Sequence, residues 1–186
     1  MKEYNLKDLY RYEGDRCHKV WVQLRYLLFT PAFQYSYCFR HAQHAGNFIS
    51  RTFWHFLMRR VMFRSGIQIP IKTQIGEGFH IGHFGSIVVN PEAKIGKNFN
   101  ISPGCNIGFS YGKQEGVPTI GDNVIMQTNS FIVGGVHVGN NVMLAPGAFV
   151  NFDVPDNSIV LGNPGKIIPR DYSPTEKWIM YSVDNY

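Results

Sequence analysis

Ile95-Gly-Lys-Asn-Phe-Asn-Ile-Ser-Pro-Gly-Cys105 and Val138-Gly-Asn-Asn-Val-Met-Leu-Ala-Pro-Gly-Ala148 are two copies of one pattern, with Ile120-Gly-Asp-Asn-Val-Ile-Met126 between them. Working outward, an apolar residue recurs at 69, 75, 81, 87, then 95, 101, 107, then 120, 126, 132, 138, 144 and 150. Every step is six except 87 to 95, which is eight, and 107 to 120, which is thirteen. A fixed short period decides architecture before any local propensity does. Three hexads make an eighteen-residue triangular coil: the apolar residue points inward, and the Gly, Asn or Asp after it takes the turn. Coils stacked at roughly 4.8 Å per layer complete each other's backbone hydrogen bonds, so four coils form a prism about 19 Å tall. Both interruptions read as loops at one corner, a Pro91-Glu92 bulge and a longer excursion over 109–119. Loops on a rigid scaffold commonly carry function.

These hexads resemble the bacterial hexapeptide-repeat acyltransferases. Ile81-Gly-His-Phe-Gly-Ser-Ile-Val-Val89 is similar to the active-site segment of the serine O-acetyltransferase branch, and Gly162-Asn-Pro-Gly-Lys-Ile167 to the segment that ends those domains. Pro31-Ala-Phe-Gln34 and Phe39-Arg-His-Ala42 resemble the helical lead-in. The resemblance implies a mainly β fold, a left-handed parallel β-helix of about four coils preceded by a short α-helical segment. It also implies a homotrimer with sites between subunits and acetyl-CoA as acyl donor. Handedness comes from the resemblance alone, because ordinary crossover chirality favours the right hand.

The chain divides into a helical segment over 1–66, the β-helix over 67–169 and a tail over 170–186. Asp15 is expected to cap a helix carrying Val20, Trp21, Leu24, Leu27 and Leu28, and Thr30-Pro31 to start a second that stops at Gly46. A third runs from Ser50 to Ser65-Gly66, making three helices before the prism. Ser173-Pro-Thr-Glu176 reads as a capping box for a short helix over 176–183 packed on a neighbouring subunit. Aromatics crowd the helical segment. They read as packing between helices, prism and neighbouring subunits, or, joined to Arg59, Arg60 and Arg64, as a weak membrane-surface patch.

The balance of 18 basic to 13 acidic residues makes the chain mildly cationic. No recognition helix, zinc spacing or single-strand aromatic motif is present, so no nucleic-acid partner is expected. A weak cationic bias serves anionic small molecules such as coenzyme A equally well. Cys17, Cys38 and Cys105 lack metal spacing and read as reduced structural thiols. With no secretory signal and a Val20–Phe39 stretch broken by Gln23, Arg25 and Pro31, a cytoplasmic protein is expected.

Among seven histidines, His18, His41, His44 and His55 fall in expected helices and read as packing residues. His83 is the candidate general base. It occupies an outward position flanked by Gly82 and Gly85, imidazoles titrate near neutral pH, and acyl transfer to an alcohol requires removal of the hydroxyl proton. The resemblance carries its role. A metal site like that of the related carbonic anhydrases would need His80, His83 and His137, whose spacing does not match, so no metal is expected. The resemblance places the acyl donor against Gly108, Thr128, Pro146 and Lys166. This chain lacks the acids that the serine enzymes carry at the positions of Gln68 and Gly82, and the Arg-His pair at Gly116-Val117. An amino acid's two charges need partners in a partly buried site. A sugar or polysaccharide precursor, met by Ser110, Tyr111 and Lys113 of the loop, is therefore the expected acceptor. Serine O-acetyltransferase, a carbonic-anhydrase-like metalloenzyme and an inactive trimeric scaffold are the alternatives.

Overall fold

The structure is a computed structural model describing residues 1–186. Four helices precede the prism: α1 (Glu3–Glu13), α2 (Val20–Phe29), α3 (Pro31–Gln43) and α4 (Phe48–Ser65). The first was not expected from the sequence, and its composition explains why. Alongside Leu9 and Tyr10 it buries Asn5, Asp8 and Arg11, so no apolar stripe marks its inner face. Asp15 does not cap α2; it lies in a short 3-10 turn over Gly14–His18, and the helix starts after Lys19 without a side-chain cap. Helix α3 begins at Pro31, as expected. Asn47 caps α4, its side chain accepting from the Ser50 backbone N–H at 2.8 Å, and Gly66 ends it in the left-handed conformation.

The prism then winds in coils of three strands. The first coil holds β1 (Ile67–Gln68), β2 (Gln74–Ile75) and β3 (His80–Ile81); the second, β4 (Ile87–Val89), β5 (Lys94–Ile95) and β6 (Asn100–Ile101). The third holds β7 (Asn106–Gly108), β8 (Thr119–Ile120) and β9 (Ile125–Met126), and the fourth β10 (Phe131–Val133), β11 (His137–Val138) and β12 (Met143–Leu144). An incomplete fifth has β13 (Phe149–Val150) and β14 (Ser158–Leu161), on which β15 (Lys166–Pro169) folds back antiparallel. The strands stack into three faces: β1-β4-β7-β10-β13, then β2-β5-β8-β11, then β3-β6-β9-β12-β14. All pairings but the last hairpin are parallel.

Register corrects one expectation. Gln74 pairs with Lys94 and His80 with Asn100, twenty residues on, whereas Val89 pairs with Ile107, eighteen on. The two extra residues of the first coil therefore lie between β3 and β4, in Gly82–Ser86, and not at Pro91-Glu92. Ile87 and Val89 both point inward, so hexad counting alone could not say which continues the phase. The thirteen-residue step is where expected, between β7 and β8. The interruptions thus occupy two different edges of the prism.

Inside, Phe79 and Phe99 stack 6.1 Å apart below Val124 and Val142, and the Ile81, Ile101, Met126, Leu144 and Val160 column is fully buried. Burying each such side chain contributes roughly 1.5–3 kcal/mol. At the edge between the second and third faces, Asn98, Asn123, Asn141 and Asn157 all adopt positive φ. Their side-chain amides form a ladder, Asn98 to Asn123 at 3.0 Å, Asn123 to Asn141 at 3.0 Å and Asn141 to Asn157 at 2.9 Å. Asparagine tolerates this backbone, and its amide donates and accepts at once. The glycine preceding these turns serves stacking instead: a Cβ on Gly96 would meet the Gly121 carbonyl carbon at 2.7 Å.

The tail is not a helix. It forms two 3-10 turns, Glu176–Trp178 and Val183–Asn185. Ser173 bonds Thr175 rather than capping a helix. The tail packs on its own chain, with the Val183 N–H donating to Asn98 Oδ1 at 2.9 Å and Asp184 pairing with Lys97. No helix is long and apolar enough to cross a membrane.

Candidate active site

The two-residue excess between β3 and β4 lifts His83 off the prism. Five residues, Gly82–Ser86, span an edge that three residues, Ser102–Gly104, span in the next coil. His83 and Phe84 are exposed, and the His83 imidazole makes no hydrogen bond within the chain. The turn itself is anchored at both ends. Gly82 N–H donates to the Ile101 carbonyl at 3.1 Å, and at the other end the Ser86 carbonyl accepts from the Gly104 N–H at 2.7 Å. A Cβ on Gly85 would sit 3.0 Å from the Pro103 Cβ, so a side chain there would push the turn off its neighbour.

Beneath it lies a group that sequence reasoning missed. The Tyr12 hydroxyl donates to the Ile81 carbonyl at 2.9 Å and accepts from the Ile81 N–H at 3.0 Å, tying α1 to the strand that delivers His83. Burial raises the Tyr12 pKa above its ordinary value, which keeps it a neutral hydroxyl able to do both. No sequence signal marks Tyr12, because its partner is backbone 69 residues away. His80 packs on the Tyr12 ring at 4.2 Å, and its Nδ1 is buried without a partner. Burial foremost, then the charges of Arg11 and His83, pushes its pKa down to about 3. The two prism histidines three residues apart are thus separated in kind: His80 is a neutral packing residue and His83 is open to solvent.

Directly above His83, the same edge continues through Ser102–Gly104, then Gln127–Asn129, then Ala145–Gly147. Asn129 N–H donates to the Pro103 carbonyl at 3.0 Å and Gly147 N–H to the Thr128 carbonyl at 3.0 Å. Thr128 and Pro146 are exposed on it in successive coils, and Lys166 opens the hairpin strand at its top, paired with Leu161. Phe149 N–H donates to the Gly162 carbonyl at 2.9 Å, joining that hairpin to the stack. Gly108 ends β7 on the adjoining face, where a Cβ would meet Val133 Cγ1 at 3.5 Å. His83, Thr128, Pro146 and Lys166 are therefore brought into one vertical row, with Gly108 on the face beside it.

The loop residues are not. Ser110 bridges Gly116 through two 3.1 Å backbone bonds, and Gly135 N–H holds the Gln114 carbonyl at 2.9 Å. This fixes the loop at the edge between the first and second faces, across the first face from His83. The Ser110 hydroxyl is taken by the Tyr111 carbonyl at 3.1 Å, while Tyr111 is 84% exposed and Lys113 is open to solvent. Gln68 lines a cleft against Tyr35, Met58, Arg59 and Met62 and makes no bond to His83. His137 sits in the second face and His80 in the third, and no three His, Cys, Asp or Glu side chains gather in a metal-binding group. The three cysteines are buried, and burial raises Cys17 and Cys38 to about 11.

No family model matches the chain. It is 31% identical over 151 residues to a serine acetyltransferase of Helicobacter pylori, covering 78% of this chain and 85% of that protein. The chain belongs to the serine acetyltransferase family. The Bacillus licheniformis serine acetyltransferase is 33% identical over 111 residues, covering 59% of this chain and 51% of that one. The chain spans about half to three-fifths of the length of the first such relatives it matches. The solved serine acetyltransferase of Neisseria gonorrhoeae superposes with a TM-score of 0.72 at 29% identity, over 91% of this chain and 65% of that one. The prism is accordingly the left-handed β-helix of that family, preceded by its helical segment.

Proposed function

We propose that this chain is an acyl-CoA-dependent O-acetyltransferase that uses His83 as general base. The row from His83 up to Lys166 carries the reading. It offers an anionic, extended thioester a basic group at one end and an unencumbered imidazole at the other. The acceptor hydroxyl oxygen attacks the thioester carbonyl while the imidazole takes the hydroxyl proton. The carbon–sulfur bond then breaks, and the proton passes to the departing thiolate. A solved serine acetyltransferase is described as a complex with CoA, which supports the donor.

For the acceptor, the relatives favour L-serine over the saccharide expected from the sequence, since those compared are serine acetyltransferases. We take serine as the first reading. A saccharide hydroxyl remains as the second because of particular residues: Gly82 puts no acid beside His83, Gly116-Val117 stands in place of the Arg-His pair, and Tyr111 and Lys113 stand free. Release of free CoA with each acceptor separates the two. A specificity constant for L-serine above that for every saccharide tested supports the first reading, and the reverse order supports the second.

The site also bears on assembly. His83 and the Ser110–Lys113 segment stand on different edges of one chain, so a neighbouring copy is needed to bring them together. We propose a homotrimer. Sedimentation at three times the chain mass supports it, and a monomer with full turnover removes it.

A further inference from the structure

From Arg16 to Gly76 the chain contains no Asp or Glu but nine Lys or Arg, a net +9, while the remainder of the protein is net −4. Few of these cations are neutralised. Arg40 is buried on Asp8, and Arg16 and Arg25 pair with Glu13. Arg51, Arg59, Arg60 and Arg64 of α4 make no ion pair.

The same helix exposes a row at spacings of four, three, four and three: Ile49, Phe53, Phe56, Arg60 and Phe63. This is one helical face. Ile49 is 81% exposed and Phe63 76%. The guanidinium of Arg60 lies 5.9 Å over the Phe56 ring and that of Arg59 6.0 Å over Phe63. Helix α2 adds Val20, Trp21, Leu24, Leu28 and Phe29, all more than half exposed, with Arg16 and Arg25 over the Trp21 ring. The two helices flank one cleft of about 290 Å³, lined by Leu27 of α2, Tyr37 of α3, and Trp54, Leu57 and Arg64 of α4. Exposed apolar surface of this kind, interleaved with cations, marks an interaction site.

We propose that the α2–α4 face docks on an anionic lipid bilayer, with its aromatic and aliphatic side chains at the headgroup boundary and its arginines on the phosphates. Charge decides the occupant. A second copy meeting through the same face would set Arg59, Arg60 and Arg64 against their equivalents, with no carboxylate in the segment to offset them. An anionic surface matches both halves of the pattern. Docking also has a geometric consequence. A Cβ on Gly66, which ends α4, would lie 3.2 Å from the Gly85 carbonyl, so the His83 turn stands at the end of the docking helix.

The test uses the full chain and vesicles of phosphatidylcholine with or without phosphatidylglycerol, read by co-sedimentation. Binding to the anionic vesicles, weakened by salt and absent from neutral ones, is the expected result. The triple variant R59Q/R60Q/R64Q should partition about a hundredfold more weakly, Phe56→Ser/Phe63→Ser should also lose binding, and Lys177→Gln should match the parent. Retained CoA release shows that the variants are folded. Equal binding to neutral vesicles, or none to either, overturns the proposal. So does a smaller sedimenting species for Phe56→Ser/Phe63→Ser without lipid, which would show that another copy covers the face.

Discussion

The prism and the helical segment are stabilised in opposite ways. In the prism each residue type repeats its contact in every coil. Columns of Ile, Val and Leu fill the interior, and the amides of Asn98, Asn123, Asn141 and Asn157 bond one above the next. In the helical segment Ala32, Phe39 and Met58 join the prism's apolar core, and the polar contacts that add to this packing occur once each. Arg40 chelates Asp8 at 2.8 and 3.0 Å, then donates to the Ile75 and Gly76 carbonyls at 2.7 and 2.6 Å. Asp8 itself accepts from the Phe79 N–H at 2.8 Å, and Arg11 forks onto Asn100. The comparison teaches that a repeating scaffold tolerates the loss of one rung, whereas each buried polar group that ties the helical cap to the prism occurs once and has no substitute.

The largest effect should come where the prism departs from its own repeat. His83→Ala is expected to lower turnover by roughly 10²–10⁴ with an unchanged melting temperature, because its side chain bonds nothing in the chain. Unaltered turnover would make the inserted turn merely another loop. On the cap side, Asp8→Ala strands the Arg40 guanidinium in the interior. Breaking a buried pair costs about 3–5 kcal/mol, and the lower part of that range is expected because two carbonyls still hold Arg40. Chemical denaturation measures it, and a loss under 1 kcal/mol would show that the cap does not depend on this pair.

Acid should reveal the junction between the regions. His80 is held neutral in the folded state with its pKa down to about 3, while in the unfolded chain it titrates near the ordinary value of 6.5. The unfolded state therefore binds the extra proton, so stability falls as pH drops from about 6.5 toward 3. Between pH 6.5 and 5, before most carboxylates titrate, the loss is roughly 1.5–2 kcal/mol. His80→Gln should flatten that part of the profile; a variant with the parent's slope would place the sensitivity elsewhere. Per bond removed, the smallest effect is a single rung. Asn123→Ala removes two ladder bonds and puts alanine at φ 59°, for about 1–3 kcal/mol in the same denaturation measurement. Asn123→Gly relieves the backbone but not the bonds and should fall between. A gain in stability from either would mean that the ladder is incidental.

Much of this was legible in the residues because it is periodic. The hexads identified the coil, the thirteen-residue step located the loop, and Thr30-Pro31 and Gly66 marked helix ends. Where two inward residues competed, as at Ile87 and Val89, counting chose the wrong one and moved the first insertion from the His83 turn to Pro91-Glu92. The inner face of α1 was unreadable because what it buries is Asp8, Asn5 and Arg11, and polar residues give no apolar period. The tail's Ser173-Pro-Thr-Glu176 has the letters of a capping box, yet Val183 and Asp184 engage the prism instead of extending a helix.

The sequence by itself determined the three-strand coil and the place of the long loop, since both follow from short-range repetition, while His83 was singled out by the resemblance of its segment to the family's active-site segment. Only the tertiary structure decided that His80 is buried against Tyr12 while His83 is free, and that Thr128, Pro146 and Lys166 rise in line above His83. It alone placed Ser110, Tyr111 and Lys113 on another edge. The physical reason is that each of these depends on which coil lies above which, and on partners tens of residues away. Stacking register and long-range hydrogen bonds fix those relations, and neither leaves a mark in local composition.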